Sequence, residues 1–131
     1  MFSLLVGLTD GEVPSGRLLE YTDSASKQAF GTNFAKLQEL PVLSMPEIGD
    51  ETSEQVARVG RVHDIKAVGR GHRFNFVANP SSGQFAVPTI ERLASKLGID
   101  NWEFRRTHWA VKDIDLAGSG RGCNTGLFLS C

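Results

Sequence analysis

The stretch QVARVGRVHDIKAVGRGHRFNFVANP, residues 55–80, constrains the fold of this chain more than any other. It is dense in β-branched and aromatic residues, which suit a pleated, half-buried surface. It is interrupted only at Gly69-Arg70-Gly71, where the glycines tolerate the positive φ of a tight connection. The expectation is a β-hairpin. In the second arm, HRFNFVA alternates and puts Phe74, Phe76 and Ala78 on one face. In the first arm, Val56, Val59, Val62, Ile65 and Val68 recur at every third position, which strict alternation does not permit. A bulge near Gly60 would restore the phase. A turn at residues 69–71 puts His63 opposite about Val77, and so several residues from His72 along the ladder.

The flanking segments supply further elements. FSLLVGL, residues 2–8, reads as a strand with one well-buried face, and RLLEYT, residues 17–22, as a second strand after a long loop. Asp23 or Ser24 can cap a helix whose apolar face is Phe30, Phe34 and Leu37, weakened in the middle by Gly31 and Thr32 and ended by Pro41. VPTIERLASKLGIDNW carries the clearest helix. Pro88 suits its first turn, and Ile90, Leu93, Ala94 and Leu97 form its stripe. Gly98 is a natural left-handed cap, with Ile99 placed for the contact of a Schellman motif. This order of strands, helix, hairpin, helix and extended piece predicts an α+β domain, an antiparallel sheet with two main helices packed on one face. It occupies residues 1–116, and residues 117–131 form a Gly/Ser-rich tail.

A chain of 131 residues can bury an ordinary core without staples. No apolar run approaches the ~20 residues of a membrane helix, and the opening one has neither the basic flank nor the cleavage site of a signal peptide. Cys123 and Cys131 both fall in the tail, so a reduced, cytoplasmic setting is expected. Net charge is −1, but it is divided unevenly. Residues 1–55 carry three basic and nine acidic side chains, a balance of −6, and residues 56–131 carry eleven and six, a balance of +5. The two halves can attract each other within one molecule or between copies, and the basic half can face an anion.

Catalytic and metal signatures are weak. There is no G-x-S-x-G elbow, and His63, His72 and His108 lack ligand spacing. The glycine clusters lack the strand–loop–helix setting of a phosphate cradle. No cofactor and no metal are therefore expected. Basic residues are the better signal: Arg58, Arg61, Lys66, Arg70 and Arg73 on the hairpin, with Arg105 and Arg106 beyond it. A β-ribbon bearing arginines can follow a phosphate backbone, although a sequence pI near 6.3 is not that of a dedicated binder.

The stretch EFRRTHWAVKDIDL, residues 103–116, is the densest in functional side chains. Trp102 and Phe104 alternate around Glu103 as in a strand, and both tryptophans read as core. Arg105-Arg106 reads as a solvated bend, with Arg106 or His108 hydrogen-bonding a carboxylate. His108, Trp109 and Lys112 are candidate ligand or partner contacts, and a small enzyme acting through His108, Lys112 and Asp113 is an alternative. Asp113 and Asp115 look like a helix start, which Gly118 and Gly120 prevent from continuing.

Residues 55–80 together with VPTIERLASKLGIDNWEFRRTHWAVKDIDL resemble a domain near the N-terminus of bacterial phage-defence proteins of the abortive-infection (AbiJ) type. The resemblance covers roughly residues 19–116 and rests on the general run of the sequence. It implies a non-catalytic sensor or regulatory module that precedes an effector such as a HEPN ribonuclease. Here the pattern ends at Leu116 with no effector following, as in a truncated form. At His108 the HEPN signature R-x₄₋₆-H is not met, since Arg105 and Arg106 stand only three and two residues before it. The partners implied are an effector domain or a second copy of the chain. Nucleic acid is the alternative and a membrane is not expected.

Overall fold

The structure is a computed structural model and describes residues 1–31, 33–49, 55–114 and 116. Its organising strand is β1, Phe2–Val6, in which every residue is buried. A short run that is apolar on both faces fits a strand covered on both sides. β1 lies between β3, Val42–Met45, which runs parallel to it, and β7, His108–Lys112, which runs antiparallel. A parallel neighbour requires a crossover. That crossover holds β2 (Glu12–Pro14), α1 (Ser24–Phe30) and a 3-10 turn at Phe34–Glu39. The hairpin is β4, Val56–Val68, with β5, Gly71–Ala78, and β6, Gln84–Ala86, pairs with the start of β4. The sheet order is β2-β5-β4-β3-β1-β7. The sheet curls so far that Phe74 on β5 meets Trp109 on β7 edge-on, with 5.0 Å between ring centroids, across three intervening strands.

The α+β class holds, but two of its expected details do not. The sheet is mixed, because β1 and β3 are parallel. The helices also lie on opposite faces. Phe2, Leu4 and Val6 point to one face, where α2 (Val87–Arg92) and α3 (Ala94–Leu97) contribute Val87, Ile90, Ala94 and Leu97. Leu5 points to the other, where Phe30 of α1 and Leu37 join Val62, Phe74 and Trp109. Two apolar faces need two covers, and each helical segment supplies one.

The hairpin forms as expected, with a two-residue turn of Gly69 and Arg70 between the paired Val68 and Gly71. The bulge is elsewhere. It falls between His63 and Lys66, with Asp64 at φ 55°, and pairing is regular through Gly60. Gly60 is needed for close approach, since a Cβ there would lie 2.1 Å from the Val77 carbonyl oxygen. The every-third valines have two causes. Val59 and Val62 serve opposite faces of a doubly covered strand, and the bulge then returns Ile65 to the face of Val62. His63 consequently faces Asn75 rather than Val77.

Other segments are shorter than expected. Residues 17–22 form no strand; Leu18 makes a single parallel bridge to Trp109. Asp23 does cap α1, accepting from the Ser26 N–H at 2.8 Å, but the helix stops at Gly31 (φ 56°, ψ −121°). Leu93 (φ −96°, ψ 3°) divides the second helix into α2 and α3. Gly98 is left-handed, and the Ile99 N–H reaches the Ala94 carbonyl at 2.9 Å, closing the Schellman motif. Asp113 and Ile114 form a bend. Asp115, the tail 117–131 and both cysteines lie outside the described residues. No helix among the described residues is long and apolar enough to cross a membrane.

Candidate functional site

Two places gather the candidate residues: the projecting part of the β4–β5 ribbon, and the closing edge around β7. β3 pairs with β4 only at residues 58–60. Beyond that, the 3-10 turn Phe34–Glu39 covers the free edge of β4. The Arg61 guanidinium donates to the Glu39 carbonyl, and the Ile65 N–H donates to Gln38 Oε1 at 3.2 Å. One ribbon face, with Val62, Ile65, Phe74 and Phe76, sits on the core. The cross-strand pairs Arg61–Val77, His63–Asn75 and Lys66–Arg73 share the other face, and all six side chains are exposed.

The bulge creates this separation. With strict alternation Lys66 would share the core face of Val62. The extra residue turns Ile65 inward and moves Lys66 out beside Arg73. Arg70 occupies the turn. Two acids temper the charge: Glu12 pairs with Arg73 at 3.1 Å, and Asp64 accepts from Asn75 at 3.4 Å. Four cations against two carboxylates leave the ribbon positive.

The structure does not unite all seven predicted basic residues. Arg58 points to the opposite face and lines a cavity of about 580 Å³ with Ser44, Phe74 and Phe76. Arg105 and Arg106 lie beyond β4, β3 and β1 in sheet order, next to β7. Arg106 is held by Glu20 through two hydrogen bonds, Nε to Oε1 at 2.8 Å and Nη2 to Oε2 at 3.0 Å. The expectation that Arg106 binds a carboxylate is met.

The closing edge is a buried charge cluster whose centre is Glu103. Residues 101–105 form a 3-10 turn instead of a strand, so Glu103 and Phe104 point inward and Trp102 is half exposed, edge-on to Tyr21. Trp109 is core as expected; Trp102 is not. Glu103 Oε1 faces Lys112 Nζ at 2.8 Å and His108 Nε2 at 3.2 Å. Its Oε2 accepts from the Asp100 N–H at 2.7 Å and from Lys112 Nζ at 3.0 Å. His108 and Lys112 lie on the same face of β7, on either side of Ala110, whose small side chain leaves room for the carboxylate. The His108 Nδ1 faces the Arg106 carbonyl, and Lys112 also donates to the Tyr21 carbonyl at 3.1 Å.

Segment 18–22 brings the outer partners to this edge. Leu19 and Tyr21 both have positive φ, 62° and 57°, and the resulting zigzag presents Glu20 to Arg106 and the Tyr21 carbonyl to Lys112. Thr22 Oγ1 accepts the Val111 N–H at 2.9 Å, covering the outer edge of β7.

His108, Trp109 and Lys112 are therefore beneath the surface and engaged with their neighbours, not offered to a ligand. Lys112 and Asp113 do border a depression of about 480 Å³, but His108 does not line it. Reading residues 102–104 as a strand concealed Glu103. The signal that could have revealed it is Asp100-x-x-Glu103, the spacing at which a glutamate folds back onto the N–H of its own cap.

Two carboxylates of this buried edge, Glu103 and Glu20, are held below their ordinary pKa. At Glu103 burial pushes upward, but hydrogen bonds from His108, Lys112 and the Asp100 N–H, with the charge of Lys112, prevail. At Glu20 the Arg106 hydrogen bond prevails over burial, helped by the charges of Arg106 and Arg17. A depressed carboxylate contributes stability above its unfolded pKa of about 4.3, and loses it as pH falls through the folded value. The urea midpoint is expected to drop as pH is lowered below that region, less steeply in Glu20→Gln. Coincident pH profiles for the two proteins would contradict this.

No protein-family model, curated protein or solved structure matches this chain.

Proposed function

We propose that this chain is a non-catalytic sensor or regulatory binding module, of the kind its sequence resembles in bacterial phage-defence proteins. The supporting observation is the disposition of its reactive side chains. His108, Lys112 and Glu103 hold one another below the surface, while the exposed ribbon carries groups suited to contact. The proposal places it in the cytoplasm, passing a binding signal to an effector domain or to a second copy. No cofactor enters it. The purified chain is expected to bind its ligand and release it unchanged. Chemical turnover of any substrate, lost in a His108→Ala variant that still folds, would refute this reading.

A second reading, nucleic-acid binding, is favoured by Arg61, Lys66 and Arg73 sharing one exposed ribbon face with Arg70 at its tip. Binding to a short oligonucleotide should weaken steeply with salt. In the double variant Arg61→Glu with Arg73→Glu it should fall at least about tenfold, and the salt slope should flatten by about two units. An unchanged slope in the variant would exclude the ribbon as the phosphate-binding face.

A further inference from the structure

At the root of the ribbon, where β3 begins and Pro41 approaches β4, lies a groove of about 410 Å³. Val77 lies in it and is 55% exposed, an unusual state for a valine in a paired strand. Pro41 contributes a second apolar surface. Arg61 and His63 stand on the β4 side and Asn79 at the far end. Asn79 Oδ1 is occupied by the Ser81 N–H at 3.0 Å, which leaves its amide nitrogen as a donor. Arg61 is tethered through one nitrogen to the Glu39 carbonyl, so its guanidinium is held at the groove rather than free to swing.

We infer that this groove is a nucleobase subsite, and that the ribbon takes single-stranded nucleic acid with one unstacked base in the groove. The inference rests on the nucleic-acid reading above and adds to it the form of the ligand. A flat, apolar ring with polar edges matches a Val77–Pro41 surface rimmed by Arg61, His63 and Asn79. The attached backbone then runs along the exposed face toward the Lys66–Arg73 rung, roughly 13 Å away by strand rise, and Arg70 at the tip. A duplex keeps its bases stacked and cannot place one here without flipping it. An acidic peptide would satisfy the cations but has no flat apolar group for the groove. Glu12 and Asp64 keep the net positive charge modest, so base contact contributes a larger share of affinity than in a strongly basic ribbon.

The test uses the full chain and fluorescence anisotropy at low salt. The probes are a short thymidylate oligomer, an abasic oligomer of equal length and a duplex, with polyglutamate as competitor. The thymidylate strand is expected to bind roughly five- to tenfold more tightly than the abasic one. Val77→Ser should remove most of that difference and leave abasic binding unchanged, whereas Arg61→Gln should weaken both. Equal binding of base-bearing and abasic strands, or no effect of Val77→Ser, overturns the base subsite while the basic-ribbon reading stands. Failure of every nucleic acid to bind overturns both. Displacement by polyglutamate, charge for charge, would assign the ribbon to acidic chains and overturn the subsite.

Discussion

Replacing Glu103 with alanine is expected to destabilise the fold by about 3–5 kcal/mol, because it leaves the buried Lys112 ammonium without its counter-ion. Lys112 would keep only the Tyr21 carbonyl, and His108 Nε2 would lose its one oxygen partner. The Asp100 N–H would lose its acceptor as well, so the 3-10 turn loosens together with the ion pair. The loss should be strongly non-additive. Glu103→Ala with Lys112→Met removes both charges and should cost less than the sum of the single changes. Urea unfolding of the four proteins measures this directly. A Glu103→Ala loss below about 1 kcal/mol would mean the cluster is far better solvated than its burial indicates.

The second large effect is expected at Trp109. It is completely buried, meets Phe74 across the curl of the sheet, and bridges to Leu18. Truncation to alanine should cost about 3–5 kcal/mol, since the surrounding strands cannot collapse into the space. Trp109→Phe should cost much less. The indole N–H is buried and finds no acceptor among the described residues, so removing it relieves a desolvation penalty of about 1–3 kcal/mol while losing some volume. The comparison of unfolding midpoints is decisive. If phenylalanine is as damaging as alanine, the N–H has a partner that matters.

These two expectations also locate what could be read in advance. Trp109 as core followed from a tryptophan in an alternating extended piece, and the structure agrees. Glu103 did not follow, because a charged residue between two aromatics reads as the outward position of a strand. A 3-10 turn has a period of three, not two, and so points Glu103 inward and Trp102 outward. The Asp23 cap, the Gly98–Ile99 motif and the hairpin turn were all legible because each depends on residues within a few positions of one another. The bulge was legible only as a need. The valine spacing demanded a phase change, but a doubly covered strand satisfies part of that spacing unaided, and the kink moved to Asp64.

The basic residues follow the same division. Seven candidate contact cations were visible in the sequence, yet strand register decides which of them act together. One extra residue at the bulge places Lys66 with Arg61 and Arg73, simple alternation sends Arg58 to the other face, and Glu20, 86 positions away in the chain, removes Arg106 from the candidates. The sequence by itself determined the α+β class, the hairpin and its turn, the caps and much of the apolar core, since these depend on local dihedral preferences and short periodicities. Only the tertiary structure decided the parallel pairing of β1 with β3, the helices on opposite faces, the Glu103 cluster and the composition of the ribbon face. Each of those is a contact between distant segments, and its free energy depends on burial and charge pairing that no single segment contains.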